Sequence, residues 1–317
     1  MNKLAILTRD CAGINATIRS IVRTATDQHI EVVGVRKGYD GLIDGDFMPL
    51  DRRSVSGIIN RGGTMLKTAR SQRFFTESAQ QQAVHQLNTH HIEGLIVVGG
   101  NGSLTGAHLL ASTYHIPVVG IPATIDNDIS GVDLTIGADT AVNVALDALD
   151  KIRDTATSLE RIFIVEVMGR SCGYLALQVA LAGGCEEVLV PEQDMDIDRM
   201  CTEITQANKR GKVSWIVIVA EGRAKGQDIA NIITSRTGLE TRVAVIGHIQ
   251  RGGRPTARDR IMAARLGNYA VHVLNEGQTD CCVAMYNNEL ITVPLEQAIQ
   301  PKSIDVQSYY ALIKLLT

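Results

Sequence analysis

The chain has 317 residues and a formal net charge of −3, from 34 acidic and 31 basic side chains. This near balance predicts no general affinity for nucleic acid or for an anionic membrane surface, so any anion site must come from local placement of arginines. Hydrophobic residues make up 45% of the chain, enough to bury at least one sizeable core. The apolar runs are short and broken by glycine, there is no secretory pattern, and the cysteines are scattered. We therefore expect a cytoplasmic protein with no nucleic-acid and no membrane partner.

Short apolar strands alternate with helical patterns along the whole chain, which is typical of a doubly wound α/β fold with largely parallel sheets. In the first half, the pattern predicts strands at 3–7, 31–35, 94–98 and 117–121, a turn at 38–41, and helices at 15–28 and 77–91 and from the glycine-rich stretch to about 112. In the second half it predicts strands at 161–167, 187–190, 214–220 and 242–246, helices at 135–156, 196–210 and 257–276, and a β-rich piece at 281–292.

Two aspartates follow the predicted strand at 117–121. The sequence there reads Pro-Ala-Thr-Ile-Asp-Asn-Asp at 122–128, which places Asp126 and Asp128 at or just past the carboxyl end of the strand. In open α/β sheets this is where ligands bind. Two carboxylates one residue apart, beside the hydroxyl of Thr124, can divide the work of a general base and a metal ligand. An acidic turn would have the same composition, because Asp and Asn are common turn formers.

Other polar loops also fall at predicted strand ends. Gly-Gly-Asn-Gly-Ser at 99–103 joins a strand to a helix, where backbone N–H groups can approach a phosphate without interference from Cβ atoms. This loop matches neither the P-loop nor a dinucleotide-binding fingerprint. Glu221, His248 and several arginines lie at other strand ends. Together they supply what phosphoryl transfer needs: a base, a cation for the moving phosphoryl group, and arginines for fixed phosphates.

In their order and spacing, four motifs resemble those of the bacterial ATP-dependent 6-phosphofructokinase family, and the resemblance covers essentially the whole chain. They are Gly-Gly-Asn-Gly-Ser at 99–103, Pro-Ala-Thr-Ile-Asp-Asn-Asp at 122–128, Val-Glu-Val-Met-Gly-Arg at 165–170 and Gly-His-Ile-Gln-Arg-Gly-Gly at 247–253. The resemblance implies two αβα lobes, residues 1–138 plus 251–300 for the nucleotide and residues 139–250 plus 301–317 for the sugar phosphate. It also implies transfer from ATP to the 1-hydroxyl of fructose 6-phosphate, Mg²⁺ as cofactor, and a homotetramer with shared sites.

The resemblance further implies roles for single residues. Asp126 would be the base, with Asp128 and Thr124 beside it, and Arg170 would stabilise the transferring phosphoryl group. The metal would be held by Asn101 and Asp128. The residues implied to bind the sugar phosphate are Met168, Gly169, Glu221, His248 and Arg251, with Arg161 and Arg242 reaching a neighbouring subunit's sugar phosphate. The nucleotide side would comprise Tyr39, Arg70, Ser71, Gly102, Ser103 and Gly106. An effector site between subunits would comprise Arg19, Arg23, Arg52, Arg153, Arg210 and Lys212, with Glu186 on the effector's Mg²⁺.

Gly102 and Ala123 favour ATP as the donor, because family members that use pyrophosphate carry Asp and Lys at these positions. A carboxylate in place of Gly102 would crowd and repel the α-phosphate of a nucleotide. Two departures from the family pattern fall on the donor side. The first loop, Arg-Asp-Cys-Ala-Gly-Ile-Asn at 9–15, is two residues shorter than the family's Ser-Gly-Gly-Asp-Ala-Pro-Gly-Met-Asn and carries Arg9. Asn101 stands where the family has an aspartate, so one negative charge near the metal is missing.

Two alternatives stay open at this point, and two others are disfavoured. A tagatose 6-phosphate kinase would carry the same catalytic groups. A weakly active or inactive paralogue that senses sugar phosphate would fit the altered first loop and Asn101. Pyrophosphate dependence is disfavoured by Gly102 and Ala123, and a Rossmann-type dehydrogenase lacks its fingerprint and its ribose-binding acid. The presence of Asp126, Asp128 and Arg170 favours an active ATP-dependent kinase.

Overall fold

The computed structural model describes residues 1–317 and confirms the predicted α/β fold. The strands are β1 Lys3–Thr8, β2 Glu31–Val35, β3 Phe47–Leu50, β4 Gly94–Gly99, β5 Val118–Pro122, β6 Ile162–Val167, β7 Glu187–Leu189, β8 Trp215–Ala220, β9 Thr241–Val245, β10 Cys281–Tyr286 and β11 Glu289–Pro294. The helices are α1 Ile14–Asp27, α2 Tyr39–Asp44, α3 Glu77–Thr89, α4 Asn101–Tyr114, α5 Ala138–Leu159, α6 Tyr174–Ala182, α7 Ile197–Lys209, α8 Gly226–Thr237, α9 Ala257–Asn275, α10 Leu295–Ala298 and α11 Val306–Leu316.

The chain divides into two compact units. The first consists of Met1–Thr140 and Arg251–Lys302, and the second of Ala141–Gln250 and Ser303–Thr317. Each unit has its own sheet and its own buried apolar cluster. None of the helices is both long enough and apolar enough to cross a membrane.

The first unit is built on a seven-stranded sheet in the order β11-β10-β5-β4-β1-β2-β3. Its five central strands are parallel, and β3 and β11 run antiparallel at the two edges. The central strands β1, β4 and β5 are almost entirely buried, as expected for parallel strands covered on both faces. On one face, Leu42 of α2, Leu87 of α3 and Leu110 of α4 join the buried cluster, while α1 packs along α9.

The second unit is built on a four-stranded parallel sheet in the order β7-β8-β6-β9. Its buried cluster includes Ile164 of β6, Val217 of β8, Ile204 of α7 and Ile233 of α8. The register pairs Val167 with Ala220, so the residues that follow β6 and β8 leave the sheet side by side. The edge strand β9 is the least buried of the four.

Two local predictions were wrong. The segment predicted as a turn at 38–41 opens helix α2, because Gly38 with a φ of +62° starts a helix whose first residue, Tyr39, stacks on Phe74 at 4.1 Å between ring centroids. The helix predicted from 135 begins at Ala138. The preceding residues have other partners: the Thr135 hydroxyl donates to the Thr124 carbonyl at 2.7 Å, and the Ile136 N–H to the Pro122 carbonyl at 3.0 Å.

Candidate active site

Strand register brings three loops of the first unit to one edge of its sheet. Thr8 of β1 pairs with Val98 of β4, and Gly99 of β4 pairs with Pro122 of β5. The first loop, the glycine-rich loop and the aspartate loop therefore leave three adjacent strands at the same end. The glycine-rich loop and the aspartate loop lie directly beside each other, since a Cβ added to Gly100 would be 3.1 Å from the Thr124 Cβ. Sequence analysis placed the glycine-rich loop and the aspartate loop at the ends of predicted strands, and the structure confirms both positions.

The aspartate loop is held by its own hydroxyl and amide groups. The Thr124 hydroxyl accepts the Asp126 N–H at 3.2 Å and lies 3.4 Å from the Asp126 carboxylate. Asn127 is buried in a left-handed conformation, with φ +50°. Its side-chain oxygen accepts the Thr135 N–H at 2.9 Å, and its amide donates to the Asp133 carbonyl at 3.2 Å. Sequence analysis did not identify Asn127 as a residue that positions this loop. The signal that could have found it is its place between the two aspartates of the motif.

Asp128 is the residue of this loop that has an unsatisfied carboxylate oxygen. Its Oδ1 atom is buried and has no hydrogen-bond partner. Burial raises the pKa of the Asp128 carboxyl, and the neighbouring charge of Asp126 raises it further. A buried carboxylate oxygen without a donor fits a site that receives a cation. No group of three or more His, Cys, Asp or Glu side chains gathers anywhere in the chain.

The glycine-rich loop is the start of α4. Gly100 precedes the helix and Asn101 is its first residue. The Thr105 hydroxyl donates to the Asn101 backbone carbonyl at 2.9 Å and lies 3.4 Å from the Asn101 side-chain oxygen. A Cβ added at Gly102 would meet no atom within 4 Å, so the space beside this residue is open. Backbone N–H groups at a helix start favour an anion.

The other residues predicted for the nucleotide are brought together only in part. The Tyr39 hydroxyl donates to the Ser103 carbonyl at 2.7 Å, and its ring fills the place that a Cβ on Gly106 would take, 2.6 Å away. Burial raises the pKa of the Tyr39 hydroxyl. Ser71 donates to the Asp40 carboxylate. The structure therefore packs Tyr39 against Ser103 and Gly106. Arg70, in contrast, is exposed.

In the second unit, the loops after β6 and β8 are locked together. The Glu221 N–H donates to the Val167 carbonyl at 2.9 Å, and the Gly222 N–H to the Gly169 carbonyl at 3.1 Å. A Cβ on Gly222 would lie 1.6 Å from the Arg170 carbonyl oxygen, so only glycine fits there. The Arg170 Nε atom lies 3.8 Å from the Glu221 carboxylate, and the Arg170 side chain is largely exposed. The structure therefore brings together Met168, Gly169, Arg170 and Glu221.

A buried glutamine ties the motif at 247–253 to this loop. Gln250 is fully buried, and its side-chain oxygen accepts the Met168 N–H at 2.8 Å. Sequence analysis quoted Gln250 within the motif but gave it no role. His248, two residues earlier, is exposed. Gln250 thus positions the backbone of Met168, while the imidazole of His248 is accessible.

Arg161 and Arg242 share one carboxylate. The Arg161 Nε atom donates to Glu240 at 2.8 Å, and the Arg242 guanidinium forms an ion pair with the other oxygen of the same side chain. Both arginines were predicted to reach a neighbouring subunit's sugar phosphate. Glu240 was not identified from the sequence. It holds the two guanidinium groups close to each other despite their like charge.

The residues predicted for an effector site divide between the two units. Arg19, Arg23 and Arg52 belong to the first, and Arg153, Glu186, Arg210 and Lys212 to the second. Glu186 is buried, and its two oxygens accept from Lys212 at 2.9 Å and from the Ile216 N–H at 2.7 Å. Arg153 donates to the carbonyls of Gly183 and Gly184. The effector role of this set stays a prediction.

The six cysteines of the chain form no disulfide bond. All six are free and buried. Burial raises the pKa of Cys185 to about 12 and that of Cys281 to about 11, so neither is a thiolate near neutrality.

Comparison with known proteins identifies the family. The family model described as phosphofructokinase matches residues 3–274. The chain belongs to the phosphofructokinase family. Among its relatives, the ATP-dependent 6-phosphofructokinase of Thermotoga neapolitana is 47% identical over 319 residues, covering 100% of both chains. The ATP-dependent 6-phosphofructokinase of Halalkalibacterium halodurans is 48% identical over 312 residues, covering 98% of both.

Solved structures of phosphofructokinases have the same fold. The Saccharomyces cerevisiae phosphofructokinase matches with a TM-score of 0.87 at 33% identity, over 94% of this chain and 45% of that chain, so this chain spans less than half of the yeast protein. The pyrophosphate-dependent phosphofructokinase of Marinobacter aquaeolei matches with a TM-score of 0.85 at 22% identity, over 97% and 86% of the two chains. At that identity the likeness shows the fold alone. The predicted family is confirmed.

Proposed function

We propose that this protein transfers the terminal phosphoryl group of ATP to the 1-hydroxyl of fructose 6-phosphate, giving fructose 1,6-bisphosphate and ADP. The relatives that match at full length at 45–48% identity are named ATP-dependent 6-phosphofructokinases. The observation that carries the proposal is the aspartate loop. Asp126 and the buried, unpartnered oxygen of Asp128 follow the carboxyl end of β5, in the loop whose Thr124 lies beside Gly100 at the start of α4.

In this proposal the first unit supplies the base and the donor site. Asp126, oriented through Thr124, takes the proton of the sugar 1-hydroxyl as the oxygen attacks. The N–H groups at the start of α4 and the guanidinium of Arg70 bind the donor phosphates. Asp128 and Asn101 would hold Mg²⁺, which when bound neutralises phosphate charge. Arg170 would stabilise the charge of the transferring group, and Met168, Gly169, Glu221 and His248 would bind the sugar phosphate.

The donor assignment has a steric argument. The open space beside Gly102 leaves room for the α-phosphate and nucleoside of ATP, and a carboxylate there would place negative charge against that phosphate. This supports ATP over pyrophosphate. No contact in the structure favours tagatose 6-phosphate over its epimer.

We also propose an oligomer, with a tetramer as the expected state. The second unit leaves two large apolar side chains exposed beside its predicted phosphate-binding residues: Val245 at 63% and Ile249 at 61%. Val245 ends the edge strand β9, which also carries Arg242. Apolar side chains exposed next to functional groups are typical of subunit interfaces.

The test is steady-state phosphorylation by the purified protein with Mg²⁺, crossing ATP and pyrophosphate against fructose 6-phosphate and tagatose 6-phosphate. The proposal expects the highest kcat/KM for ATP with fructose 6-phosphate. Turnover only with pyrophosphate would contradict the donor assignment, and a higher kcat/KM for tagatose 6-phosphate would contradict the acceptor. Measurable sugar-phosphate binding without turnover would show a sensor instead of a kinase.

A further inference from the structure

Arg9 is a half-buried cation at the edge of the sheet where the proposed donor site lies. It directly follows β1, and its N–H donates to the Val98 carbonyl at 3.0 Å. Its side chain turns over the neighbouring strand, because a Cβ on Gly99 would lie 2.9 Å from the Arg9 Cγ. Gly99 leads directly into the loop that opens α4. Arg9 is thus positioned against the backbone from which the glycine-rich loop starts.

The guanidinium of Arg9 is anchored at one end only. Its Nη1 atom donates to the Ala69 carbonyl and, at 3.3 Å, to the Thr68 hydroxyl. Arg9 makes no ion pair with a carboxylate at 4.0 Å or less, and its other nitrogens make no hydrogen bond within the chain. The contact with Ala69 and Thr68 fixes the direction of the Arg9 side chain and leaves its Nε and Nη2 donors available for a further partner. It also ties Arg9 to the segment that immediately precedes Arg70.

The charges around Arg9 favour an anion. Burial lowers the pKa of its guanidinium, and repulsion from Arg70 and then from Arg251 lowers it further, opposed by Asp10 and Tyr39. Neither Arg70 nor Arg251 has a carboxylate partner at ion-pair distance, and the Nε atom of Arg251 is buried without any hydrogen-bond partner. Arg9 is half-buried and Arg251 has a buried nitrogen without a partner, so an anion that enters here gains from both charges and from that of the exposed Arg70.

We propose that Arg9 binds the terminal phosphates of the donor nucleotide together with Arg70, so that the nucleotide retains affinity in the absence of Mg²⁺. This rests on the proposed ATP-dependent function. A guanidinium and a metal ion are alternative means of neutralising the same phosphate oxygens. A neutral Asn101 at the start of α4, where a carboxylate would repel the phosphates of a metal-free nucleotide, fits the same assignment.

A purely structural role for Arg9 is the alternative. In that case its only function is to hold the Ala69 carbonyl, and a neutral N–H donor would do the same. Arg9→Gln distinguishes the two because glutamine keeps an amide donor and loses the charge. Arg9→Lys keeps the charge and loses the planar fork. Arg36→Gln is the matched control, since Arg36 belongs to the same unit and pairs with Asp46 at 2.8 Å on the surface.

The experiment is calorimetric titration of ADP into each intact protein in EDTA, at two salt concentrations, with fructose 6-phosphate titrated in parallel. We expect Arg9→Gln to weaken ADP binding about tenfold or more, Arg9→Lys to lose less, and Arg36→Gln to bind as the parent does. Fructose 6-phosphate binding should be unchanged. The affinity of Arg9→Gln for ADP should also depend less on salt, which a structural role alone would not produce.

Parental ADP affinity in Arg9→Gln would overturn the proposal, and so would an equal loss of fructose 6-phosphate binding or an equal loss in Arg9→Lys. If Arg9→Gln does not fold, the proposal is tested by the ADP titrations of Arg9→Lys and of the parent. Absence of ADP binding by the parent in EDTA would also overturn the proposal. A different result separates the two proposals. Loss of metal-free ADP binding in Arg9→Gln, in a protein that phosphorylates no sugar phosphate, supports the phosphate role of Arg9 and contradicts the kinase.

Discussion

Replacing Asp128 by Asn should stabilise the unliganded protein while lowering its activity. In the structure the Oδ1 atom of Asp128 is buried without a partner, and burial together with Asp126 raises the pKa of the carboxyl. A buried unsatisfied polar group costs about 1–3 kcal/mol, and more when it is charged. Because Asn removes the charge but keeps a polar side chain, we expect a gain of about 1–2 kcal/mol in the free energy of unfolding. This corresponds to roughly 2–8 °C in melting temperature.

The pH dependence of this gain has a definite sign. A carboxyl whose pKa is raised in the folded state favours the protonated form, so its ionisation destabilises the fold as the pH rises through the raised pKa. The advantage of Asp128→Asn over the parent should therefore be full near neutral pH. It should disappear as the pH falls towards 3.8, the ordinary value for Asp.

Thermal unfolding of both proteins in EDTA, across this pH range, measures the effect. Activity with Mg²⁺ and ATP should fall at least about tenfold in the variant, since the proposed Mg²⁺ ligand loses its negative charge. Asp133→Asn, in the same loop region but bonded to the Asn287 N–H at 2.7 Å, is the control and should not stabilise the protein. Equal melting temperatures for parent and Asp128→Asn at neutral pH, or a gap that widens in acid, would refute the reasoning.

Three further substitutions test the remaining groups. Asp126→Ser should lower kcat by about 10²–10⁴ with little change in fructose 6-phosphate binding, as expected for loss of a general base; parental kcat would exclude that role. Glu240→Gln frees the two arginines that it holds, so the KM for fructose 6-phosphate should change at least about threefold with kcat nearly constant; an unchanged KM would show that this ion pair is irrelevant to binding. Gly222→Ala places a Cβ 1.6 Å from the Arg170 carbonyl oxygen, so both stability and kcat should fall. The control is Gly184→Ala, whose Cβ would meet no atom within 4 Å although the φ of +60° disfavours alanine, and its losses should be far smaller. Similar losses in the two variants would contradict the steric argument.

The buried strands could be predicted because each has a local signature. The apolar run predicted as a strand at 94–98 is β4 Gly94–Gly99, and the one predicted at 31–35 is β2 Glu31–Val35. Parallel pairing then implied that the loops after the strands meet at one edge, and the register confirms this for the first unit. The short edge strand β3 was not predicted, since it contains Pro49 and is only partly buried.

Contacts between distant parts of the chain could not be predicted from local pattern. The anchor of Arg9 is the Ala69 carbonyl, 60 residues away, and no composition or spacing points to it. The same holds for Gln250, which accepts the N–H of Met168 across 82 residues. For Tyr39 the sequence motif predicted a binding role and did not reveal a packing contact. Tyr39 was expected beside the nucleotide, and the structure explains its type by packing against Gly106.

The first unit is assembled from two separate stretches of chain, and this determines when it can fold. Helix α1 packs along α9, with the Ser20 hydroxyl donating at 2.7 Å to the Ala264 carbonyl across 244 residues. Strand β5 likewise pairs with β10 through Val119 and Cys281. During synthesis, the edge of β5 that pairs with β10 therefore stays unpaired until most of the second unit has been made. A ribosome that stalls before α9 would expose an apolar parallel strand as a template for mispairing, so this interval is when a nascent chain most needs protection from aggregation.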